Sequence, residues 1–165
     1  MIFVTVGTHE QPFDRLIKAI DDLKADGTLT EDVIIQTGYS TYIPKHCKWQ
    51  KLFPYSQMVQ LVNDARIVIT HGGPSSFIMA LQVGKRPIVV PRMQRYGEHV
   101  NDHQVFFCRK MAEYSKDIVL VEDITRLREI LAQFDELDTV YVTKISSNNM
   151  AFNEGIQKIV EELLR

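Results

Sequence analysis

Short runs of apolar, mostly β-branched residues alternate along this chain with longer amphipathic segments. The apolar runs occupy residues 2–6, 33–36, 67–69, 88–90 and 118–121, and residues 49–53 are expected to form one more strand. Such continuous hydrophobicity predicts strands that are buried on both faces of a parallel sheet. Apolar positions three and four residues apart predict helices at 13–23, 56–62, 77–83, 100–111, 124–134 and 149–164. Strand and helix therefore alternate throughout, which predicts an α/β fold with a doubly wound parallel sheet.

Composition narrows the class of protein. A chain of 165 residues is expected to form a single domain over 1–165, and its net charge of −2 without a basic stripe argues against a nucleic-acid binder. The two cysteines, Cys47 and Cys108, have no metal-like spacing and favour a reduced, cytoplasmic compartment. No apolar run reaches the length of a membrane span, and residues 1–6 are expected to be a strand rather than a signal peptide.

Four loops rich in polar residues follow predicted strands, at 7–11, 37–40, 71–76 and 92–104. Because the carboxyl ends of parallel strands meet at one edge of the sheet, these loops are expected to converge there. Ligands of doubly wound sheets bind at that edge, so the sequence predicts a binding site formed by these loops.

The most informative loop is His71-Gly72-Gly73-Pro74-Ser75-Ser76, between a predicted strand and a predicted helix. Its glycines allow a ligand to approach the backbone closely, and the helix N-terminus directs N–H groups and a partial positive charge at that point. This combination is typical of phosphate binding. The alternatives are a tight turn with a serine cap and a structural, hydrogen-bonded His71. No GxGxxG motif or Walker lysine is present, which disfavours ordinary dinucleotide and ATP sites.

Two further loops carry candidate chemistry. In the first loop, His9 or Glu10 could accept the proton of a sugar hydroxyl that attacks a donor, or the loop could simply cap the next helix. After the fifth strand, Arg92 and Arg95 could hold a pyrophosphate or be surface charges.

Directional hydrogen bonds from Asn101, His103 and Gln104 could hold ribose and sugar hydroxyls; alternatively, these side chains are simply solvated. Neither a zinc spacing nor an Asp-x-Asp pair occurs, so we expect metal-free chemistry.

The chain resembles a known glycosyltransferase family. The segments 4–8 and 13–17 resemble the opening of the small catalytic subunit of the eukaryotic two-subunit N-acetylglucosaminyltransferase that acts on dolichol diphosphate. The segments 71–73, 84–91 and 101–104 are similar to later blocks of that family, in the same order and spacing. The resemblance implies a Rossmann-like C-terminal half of a type B enzyme, in glycosyltransferase family 28.

The fuller opening, residues 7–14, is more similar to the bacterial capsular and exopolysaccharide branch. Members there are β-1,4-galactosyltransferases that use UDP-galactose and a lipid-diphosphate-linked glucose and work with a separate membrane-bound subunit. The resemblance therefore implies an inverting hexosyltransferase subunit of the cytoplasmic membrane face, with a UDP-sugar as donor substrate and no other cofactor. The apolar stripe of the final helix could simply cover the chain's own sheet. The resemblance implies instead that residues 149–165 dock onto the partner, which brings the acceptor and recruits the chain to the membrane.

The resemblance also implies site residues. The donor is expected to contact Gly7, Thr8, His71, Gly72, Gly73, Ser75, Ser76, Arg92, Glu98, Asn101, His103 and Gln104. Many family members have a ribose-binding glutamate where this chain has Met79. Either Glu98 or another nearby polar group replaces it, or the nucleotide binds in a different position. The other possibilities are an N-acetylglucosamine transferase, a non-catalytic nucleotide-sugar-binding regulatory subunit, and one half of a non-hydrolysing epimerase.

Overall fold

Six parallel strands form one sheet in the computed structural model, which describes residues 1–114 and 116–136. The strands are β1 (Ile2–Thr5), β2 (Val33–Gln36), β3 (Lys48–Gln50), β4 (Ile67–His71), β5 (Ile88–Val90) and β6 (Val119–Leu120). Their order across the sheet is β3-β2-β1-β4-β5-β6. The doubly wound parallel sheet expected from the hydrophobic pattern is therefore confirmed.

In the described residues of the unit Met1–Ala132, four α-helices lie in connections between strands and a fifth follows β6. They are α1 (Asp14–Ala25), α2 (Tyr55–Asp64), α3 (Pro74–Gln82), α4 (His103–Tyr114) and α5 (Leu127–Ala132). Two short 3-10 turns, Gln94–Tyr96 and Ile124–Arg126, precede α4 and α5. The helix expected at 149–164, with the partner-docking segment 149–165, lies outside the described residues.

Helix boundaries differ from the sequence expectation where turn chemistry intervenes. Helix α3 begins at Pro74, three residues earlier than expected, because a proline at the first helical position needs no hydrogen-bond acceptor. Helix α4 begins at His103, three residues later, after Asn101 accepts a hydrogen bond from the His103 backbone N–H. The segment expected as one helix from residue 124 starts as a 3-10 turn that Asp123 caps through Thr125 N–H.

The two faces of the sheet are covered by different helices. Because crossovers between parallel strands are right-handed, the connection from β1 to β2 places α1 on one face, whereas α2, α3 and α4 cover the other. On the second face, Phe3 and Val68 pack against Val62 of α2 and Ala80 of α3. Farther along this face, Val89 of β5 contacts residues of α3 and α4.

The strand order reverses between β1 and β4, which are direct neighbours. From β1 the chain continues outward to β2 on one side, and from β4 to β5 on the other. In doubly wound sheets this reversal opens a crevice at the carboxyl ends of the two strands. The loop after β1 and the turn after β4 flank that crevice, which fixes the position of the candidate site.

The buried carboxylate of Asp21 in α1 anchors the long connection that follows β2. It accepts hydrogen bonds from the backbone N–H groups of Lys45 and His46 and from the hydroxyl of Tyr42. Burial by itself would raise the pKa of Asp21, but these hydrogen bonds, together with one from Cys47, lower that pKa to about 2. The ionised carboxylate therefore stabilises the folded chain.

We expect Asp21→Asn to lower the free energy of unfolding by about 2 kcal/mol at neutral pH, since each pKa unit corresponds to about 1.4 kcal/mol. Because the pKa of Asp21 is lower in the folded chain, its carboxylate stabilises the fold at pH values above the unfolded-state pKa. This stabilisation disappears as the pH falls through the folded-state pKa of about 2. Urea unfolding between pH 7 and pH 2 should therefore show the difference from wild type shrinking toward zero. The control is Asp22→Asn at an exposed ion pair, and an equal loss in both variants would refute the anchoring role.

Candidate functional site

The fully buried guanidinium of Arg92 joins the loop after β1 to the loop after β5. Its Nη2 donates to the carbonyl of Val6 at 2.8 Å, and its Nη1 donates to those of Gln11 and Glu98 at 2.7 and 3.0 Å. The ring of Phe13 lies under the guanidinium, 4.9 Å from Cζ to the centroid. Both Nη atoms of Arg92 donate to backbone carbonyls in the interior, so this geometry gives Arg92 a structural role in place of the pyrophosphate contact expected of it.

Glu98 is likewise directed into the protein. Its two carboxylate oxygens accept hydrogen bonds from Nε and Nη2 of Arg15 at 2.8 and 2.9 Å, and one of them also accepts from the Met93 N–H. Only 2 % of Glu98 is exposed. It is not placed to hold ribose hydroxyls in place of a glutamate at Met79; instead it fixes the loop after β5 onto the first turn of α1.

His71, the last residue of β4, occupies the space between the two central loops. Its Nδ1 accepts a hydrogen bond from the Gly73 N–H at 3.0 Å, so the neutral ring carries its proton on Nε2. That Nε2 lies 3.0 Å from the hydroxyl oxygen of Ser76 and donates to it. Burial, and secondarily the charge of Arg92, lower the pKa of His71 to about 4, so the imidazole is neutral at physiological pH.

The glycines flanking this ring have a role that the sequence did not suggest. A β-carbon on Gly73 would lie 2.1 Å from Cε1 of His71, and one on Gly7 would lie 2.3 Å from its Nε2. A β-carbon on Gly72 would meet Gln104 and Cys108 at 2.9 Å. The missing side chains therefore make room for the protein's own groups, and close approach of a ligand is not what these glycines require.

The polar residues near the start of α4 separate into three environments. Gln104 is 7 % exposed, and its amide oxygen accepts a hydrogen bond from the backbone N–H of Arg92. It therefore stabilises the start of the loop after β5 and does not face a ligand. Asn101 is exposed but its side-chain oxygen accepts from the His103 N–H. His103 is exposed and stacks on Phe107 one helical turn later. Of these three expected donor-contacting residues, only the His103 side chain is both exposed and without a structural hydrogen bond.

The first turn of α3 presents donors that the protein does not use. Pro74 has no N–H, and the Ser76 N–H donates to the Gly73 carbonyl. Within the described part of the chain, the N–H of Ser75 has no acceptor. The Ser76 oxygen accepts the proton of His71, which leaves its own O–H proton free to donate outward. One N–H, one O–H and the positive end of the helix dipole are thus available to an anion.

An open cleft of about 400 Å³ adjoins the loop after β1 and is lined by Thr8, His9, Glu10 and Tyr39. The expected catalytic pair, His9 and Glu10, therefore shares one cleft with Thr8. Tyr39 comes from the loop after β2, which approaches so closely that a β-carbon on Gly38 would lie 2.6 Å from the Gly7 carbonyl oxygen.

Within this cleft, His9 and Glu10 differ as possible bases. The Nδ1 of His9 accepts from the Gln11 N–H at 3.1 Å, so its neutral ring carries the proton on Nε2 and can donate but not accept there. Burial, then the charges of Arg92 and His99, lower the pKa of His9. The ring of His99 lies 4.7 Å from that of His9. Glu10 is exposed and its carboxylate retains its acceptor capacity, so the geometry favours Glu10 as the proton acceptor.

Several residues of the site were not identified from the sequence. Arg15 lies on α1, where the helical pattern made it an ordinary polar position, and its partner Glu98 is 83 residues away. Tyr39 and His99 occupied predicted polar loops but carried no motif. The only sequence signal for them was their position after strands at the carboxyl edge.

Neither a metal cluster nor a membrane helix is found in the described ranges 1–114 and 116–136. No group of three or more histidine, cysteine or acidic side chains there could hold a metal ion. No helix in the same residues is long and apolar enough to cross a bilayer.

The comparisons with known proteins place the fold among the glycosyltransferases. The model of the glycosyltransferase family 28 C-terminal domain matches residues 1–163, so the chain belongs to this family. No curated protein sequence matches the chain. The family assignment confirms the broader resemblance seen in the sequence; it leaves the sugar and the acceptor open.

Among solved glycosyltransferase structures similar to this chain, CalG4 shares the fold. The calicheamicin glycosyltransferase CalG4 is 14 % identical with a TM-score of 0.55, over 99 % of this chain and 44 % of that one. The kitacinnamycin glycosyltransferase is 15 % identical over 89 % and 35 %, with a TM-score of 0.49. SnogD from Streptomyces nogalater is 21 % identical over 55 % and 25 %, with a TM-score of 0.39. The chain thus spans less than half of the length of each.

If the His71 ring occupies the space that a β-carbon on Gly73 would fill, the effects of substitutions at the two positions on stability must be coupled. We expect Gly73→Ala to lower the free energy of unfolding by roughly 2 kcal/mol in the wild-type background. In a His71→Ala background the same change should cost much less, giving a coupling free energy of about 1–3 kcal/mol in chemical denaturation. The backbone of Gly73 has φ −76°, which alanine tolerates, so strain does not complicate the cycle.

The matched control is Gly7→Ala. This substitution should lower the free energy of unfolding by about 1 kcal/mol even in the His71→Ala background, because Gly7 has φ +75°, which is strained for alanine. Additive effects of Gly73→Ala and His71→Ala would show that the ring does not depend on the glycine.

Proposed function

We propose that this chain is the donor-binding half of a type B hexosyltransferase that uses a UDP-sugar. Membership of the glycosyltransferase family 28 C-terminal domain supports the class of reaction. The fold match to CalG4 extends over nearly the whole chain but under half of that enzyme, which is consistent with a domain that needs a second half. We propose that the second half of the enzyme is a separate, membrane-bound subunit that brings the acceptor.

The observation that carries the proposal is the first turn of α3 at the reversal of strand order. Within the described residues the N–H of Ser75 has no protein acceptor, and the Ser76 hydroxyl proton is free to donate because its oxygen accepts from His71. The His71 ring also lies against Gly7, the residue before Thr8 of the cleft. Hydrogen bonds to a diphosphate would satisfy both donors, and the helix dipole would favour its negative charge. The donor sugar would then extend toward the cleft after β1.

In the proposed reaction, an acceptor hydroxyl attacks the anomeric carbon of the donor sugar from the face opposite the diphosphate. A new glycosidic bond forms as the bond to the diphosphate oxygen breaks, which inverts the configuration. Glu10 takes the hydroxyl proton, and UDP leaves with the electron pair. Because transition-state charge develops on the leaving diphosphate, the Ser75 N–H and Ser76 O–H would stabilise it without a divalent ion.

The finer identity rests on the resemblance of residues 7–14 to the capsular and exopolysaccharide branch. We propose transfer of galactose, in β-1,4 linkage, from UDP-galactose to a lipid-diphosphate-linked sugar at the cytoplasmic face of the membrane. A UDP-N-acetylglucosamine transferase is the alternative. A transfer assay with UDP-galactose and UDP-N-acetylglucosamine, with and without the membrane subunit, distinguishes the two activities. If the complete complex transfers neither sugar, the chain is instead a regulatory subunit.

Binding of UDP tests the placement of the diphosphate. We expect Ser76→Ala to weaken UDP binding about tenfold or more in calorimetry, because a hydrogen bond to a charged group contributes about 1.5–3 kcal/mol. Ser75→Ala is the control, since only its backbone N–H is proposed to bind. UMP, which lacks the second phosphate, should bind more weakly and respond less to Ser76→Ala. Equal UDP affinity of wild type and a folded Ser76→Ala variant would contradict the site.

Turnover of the complex tests the proton acceptor. We expect Glu10→Gln to lower kcat by roughly a hundredfold to ten-thousandfold, the usual contribution of a general base, with UDP affinity nearly unchanged. His9→Ala should cause a smaller loss, because its Nε2 donates rather than accepts. Activity should persist in excess chelator. A larger defect in His9→Ala than in Glu10→Gln would reverse the assignment, and a chelator effect restored by magnesium would disprove metal-independent transfer.

A further inference from the structure

The edge of the sheet formed by β3 and its adjoining loops exposes large apolar side chains. Ile43 is 63 % exposed, Trp49 44 %, Leu52 39 % and Tyr55 74 %. They lie in the loop that enters β3, in the strand itself, in the segment that leaves it and at the start of α2. Singly exposed apolar residues are common, but four within thirteen sequence positions at one sheet edge call for an explanation.

The same segment is basic and has no acidic residue. From Val33 to Asn63 the sequence contains no Asp or Glu, although the whole chain has a net charge of −2. Lys45, Lys48 and Lys51 are interspersed with the apolar residues, and all three are exposed. Lys48 forms an ion pair with Asp32 at 3.0 Å, and the ammonium of Lys51 lies 4.6 Å from the Tyr39 ring centroid. The edge therefore presents positive charge together with apolar surface.

The backbone at this edge is held in place. The Thr37 and Gly38 N–H groups donate to the carbonyls of Gln50 and Lys51, which ties the end of β3 to the loop after β2. The loop that enters β3 is fixed by the buried Asp21, through the N–H groups of Lys45 and His46. The apolar and basic side chains are consequently displayed from a fixed backbone.

We propose that this β3-edge surface, formed by Ile43, Lys45, Trp49, Lys51, Leu52 and Tyr55, binds directly to an anionic lipid bilayer. Indole and phenol rings are favoured at the depth of lipid headgroups, where one side is apolar and the other is wet. Lysine side chains place their aliphatic stems along apolar surface and their ammonium groups at lipid phosphates. The mixture of both kinds of side chain matches the chemistry of that interface.

A strand from another protein is the competing occupant of an open sheet edge. Lysines at an edge oppose this kind of strand addition, and β3 is only three residues long with a lysine at one end and another directly after its last residue. An anionic surface instead satisfies the lysines and the apolar residues together. The proposal is independent of the donor site, since the edge can bind lipid whether or not the chain binds UDP.

The test is sedimentation of the full chain, without a partner subunit, with vesicles. We expect binding to mixed phosphatidylglycerol–phosphatidylcholine vesicles, weaker binding to pure phosphatidylcholine vesicles, and a loss of binding as salt rises, because salt screens surface charges. Lys45→Gln with Lys51→Gln should weaken binding to the anionic vesicles at least tenfold, from about fivefold per basic residue. Ile43→Ser with Trp49→Ser should weaken binding to them in high and low salt alike.

The matched control is Lys110→Gln with Tyr114→Ser on α4, which removes one exposed lysine and one exposed aromatic ring far from β3 in the sheet order. This control should bind vesicles as the wild type does. Measuring the UDP affinity of the Ile43→Ser, Trp49→Ser variant separates lipid binding from donor binding, and we expect that affinity to be unchanged. Absence of vesicle binding by the wild type, or an equal loss in the control, would overturn the proposal; capture of an acidic protein without vesicle binding would assign the edge to a protein partner instead.

Discussion

The buried positive charge of Arg92 is the constraint on which the arrangement of the site depends. Burying a guanidinium is costly unless its donors are hydrogen-bonded, and here backbone carbonyls from two distant loops accept from both Nη atoms, whereas Nε has no partner among the described residues. Those loops must therefore keep the conformations that bring their carbonyls inward. The same charge lowers the pKa of His71 and of His9, in both cases after the larger effect of burial. One side chain thus connects the two loops of the crevice and adds to the effect of burial in keeping its imidazoles neutral.

A second set of hydrogen bonds, made by His71, Arg15 and Asp14, positions the groups that face the proposed ligand. The neutral His71 ring accepts from Gly73 and donates to Ser76, which sets the direction of the free Ser76 hydroxyl proton. Arg15, held to Glu98, fixes the loop after β5 to α1, while Asp14 of the same helical turn accepts from the Thr41 and Tyr42 N–H groups after β2. The first turn of α1 therefore connects the loops on both sides of the β1 loop, and the proposed anion site lies on a preorganised support.

The sequence predicted the sheet well because strands buried on both faces need continuous apolar runs, which are visible locally. It also predicted that the polar loops meet at one edge, since parallel strands direct their carboxyl ends there. It did not anticipate the structural hydrogen bonds of Arg92 and Glu98, because a charged residue in a loop is normally exposed and the compensating partners are distant in sequence. The glycines of the turn were read as space for a ligand, whereas the packing of His71, which only three-dimensional contact reveals, occupies that space.

The central claim is that a nucleotide diphosphate binds at the first turn of α3. Amide chemical shifts of the ¹⁵N-labelled chain, titrated with UDP, test this most directly because they report each N–H separately. The account predicts the largest changes at the Ser75 and Ser76 amides, with smaller changes at Thr8 and Glu10. Changes centred instead on the smaller pocket between the loops after β5 and β6, lined by Arg95 and Arg109, would contradict it.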